Sequence, residues 1–319
     1  MKNPIASTPA APVAGRSGPG PTALAAVDDA FVRERHQAWR KFRRHYLALA
    51  GAAALILITV GATFAPLFTH FDPNAIDPHW GGTPLAPGTY GHWLGTDNLG
   101  RDLWARMLFG GRISLTVAIF AVLIEVVVGT IVGAVSGYYG GWIDWVLMRL
   151  TDTFLSIPIL PLLLVLTGIV AASSTKAALN FGSIVIIIGV LSWMPVARLV
   201  RASFLSLREK EFCEAARAIG GTNNRIIIKH LLPNALAPIV VQATLDIANV
   251  IILESILSFL SFGIQPPTAS WGNMLADAQE TITIAWWAGV YPGLCIFATV
   301  LAINYIGDGM RDALDPNVR

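Results

Sequence analysis

The stretch EFCEAARAIGGTNNRIIIKHLLPN, residues 211–234, interrupts a chain built from long runs of Ile, Leu, Val, Ala and Trp. Seven charged or titratable side chains crowd into it, with Gly220 and Gly221 between them. On a helix advancing 100° per residue, Phe212, Ala215, Ala216 and Ile219 fall on one narrow face, and Lys210, Glu214 and Arg217 fall opposite. The two glycines stop that helix. Thr222 is then placed to cap a second short helix from Asn223 to Leu231, and Pro233 limits its continuation. Two short helices about a glycine hinge form a polar knob.

What surrounds the knob is membrane. Of 319 residues, 54% are hydrophobic and only 13% are charged, against about 25% charged in a soluble globular domain. A net charge of +2 is too small to indicate nucleic acid as a partner. Spanning about 30 Å of hydrocarbon takes roughly 20 apolar residues, and six stretches qualify: 47–68, 113–137, 154–172, 183–200, 235–260 and 286–306. The expectation is an all-α polytopic protein with six transmembrane helices.

Orientation follows from Lys and Arg. With the amino terminus in the cytoplasm, 18 of the 22 basic residues lie inside and four, Arg101, Arg106, Arg112 and Lys176, lie outside. Both termini and the knob are therefore expected in the cytoplasm. Residues 1–46 form a cytoplasmic tail. Its first thirty residues, rich in Ala, Pro, Gly and Ser, lack the continuous apolar core of a secretory signal and are expected to be largely disordered. The basic aromatic segment 33–45 is suited to the lipid surface, with Trp39 and Phe42 dipping into the interface. The remaining organisation is a first transmembrane helix over 47–69, an extracytoplasmic loop over 70–112, a transmembrane core over 113–308 containing the cytoplasmic loop 204–233, and a cytoplasmic end over 309–319.

The loop divides in two. Pro73, Pro78, Pro84 and Pro87 keep its first part extended. In its second part, capped by Asp97 or Thr96, Leu99, Leu103, Trp104, Met107 and Leu108 share half of a helical wheel, and Arg101, Asp102 and Arg106 share the other. This amphipathic helix is expected to lie on the outer surface or across the mouth of the bundle, as a cover or as a platform for a soluble partner.

Gly129, Gly133 and Gly137 recur every fourth residue in the second span, with Gly141 in register beyond them, and so present a face for close helix packing. Pro158, Pro161 and Pro195 predict bends in the third and fourth spans. Glu125, Asp246 and Glu254 are intramembrane acids that cost about 2–3 kcal/mol or more at the bilayer centre if unpaired. Hydrogen bonding to a neighbouring helix is the expected role, and a functional one, including a proton relay, is the alternative.

No GxxxxGK[ST] loop, serine elbow or HExxH occurs, and Cys213 and Cys295 lie too far apart to suggest a disulfide framework or a zinc site. Catalytic residues, metal ligands and cofactors are not expected.

EAARAIG, residues 214–220, with Leu232 and Pro233 following, resembles the cytoplasmic EAA signature of permease subunits of bacterial ATP-binding cassette importers. His230 stands where that pattern usually has Ile. HWLGTDNLGRDLWARMLFGGRISL (92–115), LSFLSFGIQPPTASWGNML (257–275) and GDGMRDALDP (307–316) resemble the dipeptide/oligopeptide permease family, specifically its second permease subunit, over roughly residues 36–319. The resemblance implies a type I importer permease fold in the bacterial inner membrane, with a homologous second permease, two separate ATPase subunits and an extracytoplasmic substrate-binding protein as partners. It implies peptides as cargo, with glutathione, nickel and haem carried by related branches. It also implies that Glu211, Glu214, Ala215, Ala216, Gly220 and Gly221 dock an ATPase. An ion-driven secondary transporter using Glu125, Asp246 and Glu254, and a non-transporting scaffold, are the competing classes.

The charge asymmetry predicts that a reporter active only in the cytoplasm works at Thr222 and after Arg319, and that a periplasm-dependent one works at Gly88. Cytoplasmic reporter activity at Gly88 would reverse the orientation.

Overall fold

The computed structural model describes residues 39–173 and 181–314. Residues 1–38, Lys176 and the last five residues, and with them most of the tail, lie outside the described residues. The chain is all-α and multi-pass. Helix α1 covers Tyr46–Thr63, opened by His45, whose Nδ1 accepts the Ala48 N–H at 3.1 Å. One further turn, α2, covers Ala65–Phe68. The aromatic segment before α1 differs from expectation: Phe42 lies beside Gly309, close to where a side chain would project there, and of the two aromatic residues only Trp39 is well exposed.

Helix α3 runs from Leu103 to Tyr139, 37 residues, or about 55 Å at 1.5 Å per residue, well beyond the hydrocarbon thickness. The amphipathic helix expected over the end of the 70–112 loop is thus the first turns of this span rather than a separate surface element. Its cap is also different. Asp102 accepts the Ala105 N–H at 2.6 Å, while Asp97 closes the preceding turn by accepting the N–H groups of Leu99 and Arg101. The expected polar face is buried, because it has acids to meet: Arg101 donates to Asp97 at 2.7 Å and to Asp277 at 2.8 Å, and Arg106 lies 3.3 Å from Asp97. Asp277 belongs to α11, Trp271–Ala278, so this network ties α3 to a later element. Burial raises the Asp277 carboxyl above the ordinary range against the pull of both arginines. The 70–102 segment is pinned by His92, whose ring nitrogens meet Asp102 at 2.7 Å and Asp77 at 3.0 Å. The His79 backbone N–H, followed by the His92 hydrogen bond, lowers the Asp77 pKa.

Two spans are broken. Helices α4 (Gly141–Leu155) and α5 (Ile159–Ser173) meet at 85°, and α6 (Phe181–Leu191) and α7 (Met194–Leu207) meet at 43°. Pro158 lies in the first break and Pro195 in the first turn of α7, where a missing N–H costs no helical hydrogen bond. Beyond the knob, α10 (Leu232–Phe259), α11 and α12 (Trp287–Leu314) complete the described residues. Four helical stretches, one of them Asn223–Phe259, are long and apolar enough to cross a bilayer, and counting each bent pair as one span brings the total to six among the described residues.

The glycine face of α3 receives α7. A Cβ on Gly129 would stand 2.7 Å from Val196, and one on Gly137 would stand 2.7 Å from Phe204. At Gly133 it would fall on the Ala197 carbonyl oxygen and 2.7 Å from Val200. Gly141 takes no part, since a side chain there would meet open space. Its positive φ of 58°, after 66° at Gly140, instead makes the turn between α3 and α4. On another face of α3, Ile119, Leu123, Val127 and Ile131 are exposed at four-residue spacing, as lipid contact requires.

Gly133→Leu is expected to destabilise the chain by at least about 1–3 kcal/mol, the usual cost of overpacking, read as a lowered unfolding midpoint in mild detergent. Gly168→Ala, where the nearest neighbour is Phe262 at 3.5 Å, is the tolerated control. Equal midpoints would remove the close-packing role.

Candidate functional site

The knob begins with α8, Glu211–Ala218. It ends in a Schellman motif: the Gly220 N–H donates to Arg217 and the Gly221 N–H to Ala216, both at 2.9 Å. Gly220 has a φ of 79°, in the left-handed region that glycine enters without Cβ strain. Gly221 is held by proximity, since a Cβ there would stand 2.6 Å from the Ala216 oxygen. Helix α9 (Asn223–Ile226) follows, then a π-helical turn, Ile227–Leu231, that runs straight into α10. Pro233 therefore does not end the second short helix, because it occupies the first turn after the π segment. The Asn234 side-chain amide donates to the His230 carbonyl at 2.6 Å in that wide turn. Thr222 precedes α9 with extended backbone, but its side chain makes no cap hydrogen bond.

The inward face of α8 differs from the periodicity reading. Cys213 and Ala216 are buried against a cluster containing Phe204, Ile226 and Leu231, and burial raises the Cys213 thiol pKa. Small residues allow α8 to sit close. Phe212 is 38% exposed and Ile219 87% exposed, so the larger apolar side chains point away from the bundle. Glu211, Glu214, Ala215 and Gly220 are exposed as well. A bare face with apolar and acidic groups side by side is suited to contact with a partner.

The three intramembrane acids do not form one group. Glu254 on α10 is fully buried and accepts hydroxyls from Ser114 at 3.0 Å and Ser258 at 2.7 Å. Ser114 Oγ in turn accepts the Trp271 N–H, and Ser258 Oγ the Ile264 N–H. Glu254 is thereby the centre of a link joining α3, α10 and the start of α11. Glu125 on α3 and Asp246 on α10 lie within hydrogen-bonding reach of each other. Asp246 also accepts Gln242 at 2.9 Å. Both acids line a cavity of about 340 Å³ at the two helix breaks.

Sequence reasoning missed the clamp at the other end of the glycine contact. Arg201 donates to both oxygens of Asp144 at 2.5 and 2.6 Å, Ser136 donates to the same acid, and Arg208 donates to the Gly137 carbonyl at 3.1 Å. Asp144 and Arg201 are 57 positions apart, and no local periodicity links them.

These features define a polytopic α-helical membrane component with broken spans and an exposed helical knob. The sequence matches the model of the binding-protein-dependent transport system inner membrane component over residues 129–319, and that of the N-terminal TM domain of oligopeptide transport permease C over residues 35–87. The chain is 41% identical over 287 residues to a glutathione transport system permease protein, GsiD, of Escherichia coli O6:K15:H31, covering 89% of this chain and 91% of the relative. It is 39% identical over 283 residues to a dipeptide transport system permease protein, DppC, of Alkalihalophilus pseudofirmus, covering 89% and 90%. The chain belongs to the binding-protein-dependent permease family, with the type I permease fold, and is a non-enzymatic, multi-pass inner membrane component of an ATP-binding cassette transporter.

Removing the Glu254 carboxyl leaves two serine hydroxyls without their acceptor and opens a void. Glu254→Ala is expected to cost about 2–5 kcal/mol, seen as a lowered unfolding midpoint, and Glu254→Gln, which keeps one carbonyl acceptor, should lose less than half of that. An unchanged midpoint in Glu254→Ala would remove the structural role.

Proposed function

We propose that this chain is one of two homologous permease subunits of an ATP-driven importer of small peptides, and that it corresponds to the second, C-type subunit. The observation that carries the cargo is chemical: relatives at 41% and 39% identity are named for glutathione and for dipeptides, and both are short peptides. Two ATPase subunits supply the energy, one beneath each permease, since no phosphate-binding loop occurs in this sequence. An extracytoplasmic protein delivers cargo to the face carrying the 70–102 segment. Both termini and the knob face the cytoplasm, in keeping with the positive-inside distribution.

The knob transmits force. Its ATPase contacts include Glu211, Glu214, Ala215, Ala216, Gly220 and Gly221, as the EAA resemblance implies, with Phe212 and Ile219 supplying exposed apolar area beside them. Of these, Ala216 is buried, so its part is to seat α8 on the bundle. A surface ion pair from Glu214 is worth about 0–1 kcal/mol. The hinge matters more, because a β-branched residue reaches the Gly220 backbone conformation only with strain of about 1–3 kcal/mol.

Gly220→Val should remain in the membrane yet lose both ATPase co-purification and cellular uptake of radiolabelled dialanine or glutathione. Gly220→Asn, which tolerates positive φ better, should retain part of both, and Glu214→Ala should lose less than Gly220→Val. Normal assembly and uptake in Gly220→Val would reject the knob as the power-transmitting contact. Absence of uptake of either peptide by the complete wild-type transporter would reject the cargo.

A further inference from the structure

Glu254 and Asp246 have hydrogen-bond donors on their carboxyl oxygens, whereas the third intramembrane acid, Glu125, does not. Glu125 is 2% exposed; Asp246 is within its reach, but its Oε2 has no other hydrogen-bond partner among the described residues. Ser192, in the break between α6 and α7, is 9% exposed, and its Oγ is also without a partner. Both line the 340 Å³ cavity, together with Asp246, Asn249 and the two break prolines, Pro158 and Pro195. Leaving a buried polar atom unpaired costs about 1–3 kcal/mol, and two in one cavity point to a ligand that completes them.

The chemistry of that ligand follows from the acceptors. Two carboxyls within hydrogen-bonding reach either share a proton or are bridged by a cation, and in the bridged state the pair offers negative charge to a ligand. Glu125, Asp246 and Ser192 all belong to the lining of this cavity and bring oxygen acceptors to it. A primary ammonium carries three N–H donors and one positive charge. Apart from Asn249, the rest of the lining, including Leu162 and Leu253, is apolar, which suits the carbon skeleton next to such a group.

We propose that this cavity is a transit site for the ammonium group of the cargo. The choice of a peptide as its bearer rests on the importer reading above. The site is built where both broken spans meet α3 and α10, so a change in either bend alters the acceptor set and releases the group. Glu125 and Asp246 supply charge, and Ser192 supplies the third acceptor.

The test uses the purified full chain in mild detergent and follows its unfolding midpoint. One probe is dialanine amide, whose ammonium is its only charge, and the other is the neutral N-acetyl-dialanine amide. A ligand that binds the folded state raises the midpoint saturably. The charged probe is expected to do so and the neutral one is not. Glu125→Gln and Asp246→Asn should each weaken the apparent affinity by about tenfold or more, and Ser192→Ala by about threefold. Glu280→Gln, which removes an exposed acid outside the cavity, should leave it unchanged.

Equal shifts from both probes, reproduction by sodium chloride at the same concentration, or full retention in the carboxyl variants would overturn the site. Should those variants fail to fold, an unaltered affinity in Ser192→Ala overturns it. A larger shift from glycerophosphoethanolamine than from dialanine amide would make the ammonium a lipid headgroup's and overturn the cargo assignment. Saturable binding without dialanine uptake by the complete transporter would sink the peptide reading alone. Unimpaired uptake in the Asp246→Asn transporter would instead overturn the transit role.

Discussion

The approach of α7 to the side-chain-free face of α3 is the contact on which the rest of the molecule depends. Inside a bilayer there is no hydrophobic drive between helices, because lipid tails are as apolar as leucine, so association rests on close packing and interhelical hydrogen bonds. Gly129, Gly133 and Gly137 let the α7 backbone come within reach of α3 at three successive turns. At the end of that contact the packing is locked electrostatically, by Arg201 on Asp144 and by Arg208 on the Gly137 carbonyl. Val196, Val200 and Phe204 thereby become fixed surfaces, and Phe204 belongs to the same cluster as Cys213, Ala216, Ile226 and Leu231. The knob is seated on a helix that is itself held against the long span α3.

Polar groups at membrane depth show how the same residue type is put to different ends. Glu254 is completed by two serines, and those serines accept the backbone N–H groups of Ile264, in the irregular 260–270 segment, and of Trp271, the first residue of α11. A carboxyl is well suited to that task, since its two oxygens accept from several directions. Glu125 is only partly completed, and it stands in a cavity rather than in a packed seam. Burial alone does not separate the two cases. The count of partners does.

Much of this architecture was legible in the sequence, and the misses have physical causes. Six apolar stretches, the glycine repeat and the prolines at both breaks are local signals, each decided by residues within a few turns of one another. The long α3 was not legible as one helix, because Arg101, Asp102 and Arg106 look like a solvated face until Asp97 and Asp277 are brought to them. Asp277 is 171 residues from Arg106, and no periodicity reports such a pair. The inward face of α8 was misjudged for a related reason. Periodicity favoured its large apolar residues, but the space beneath α8 admits only Cys213 and Ala216, and Phe212 and Ile219 are left outside. Of the candidate site, Gly220 was readable because positive φ is a backbone demand that glycine alone meets freely. The cavity was not, since it is assembled from four separate segments.

The knob and the cavity share their supporting helices, and this sets how one can act on the other. Helix α7 enters the knob from one side, and α10 leaves it on the other through the π turn Ile227–Leu231. Farther along, α7 begins at the Ser192 break and α10 carries Asp246 and Asn249. Packed helices shift as units rather than deforming continuously. A displacement of α8 and α9 therefore moves along α7 and α10 to the walls of one cavity. Helix α7 is bound to α3 by the glycine contact, and α10 is bound to α3 through Glu254 and Ser114, so both routes from the knob converge on the span that carries Glu125.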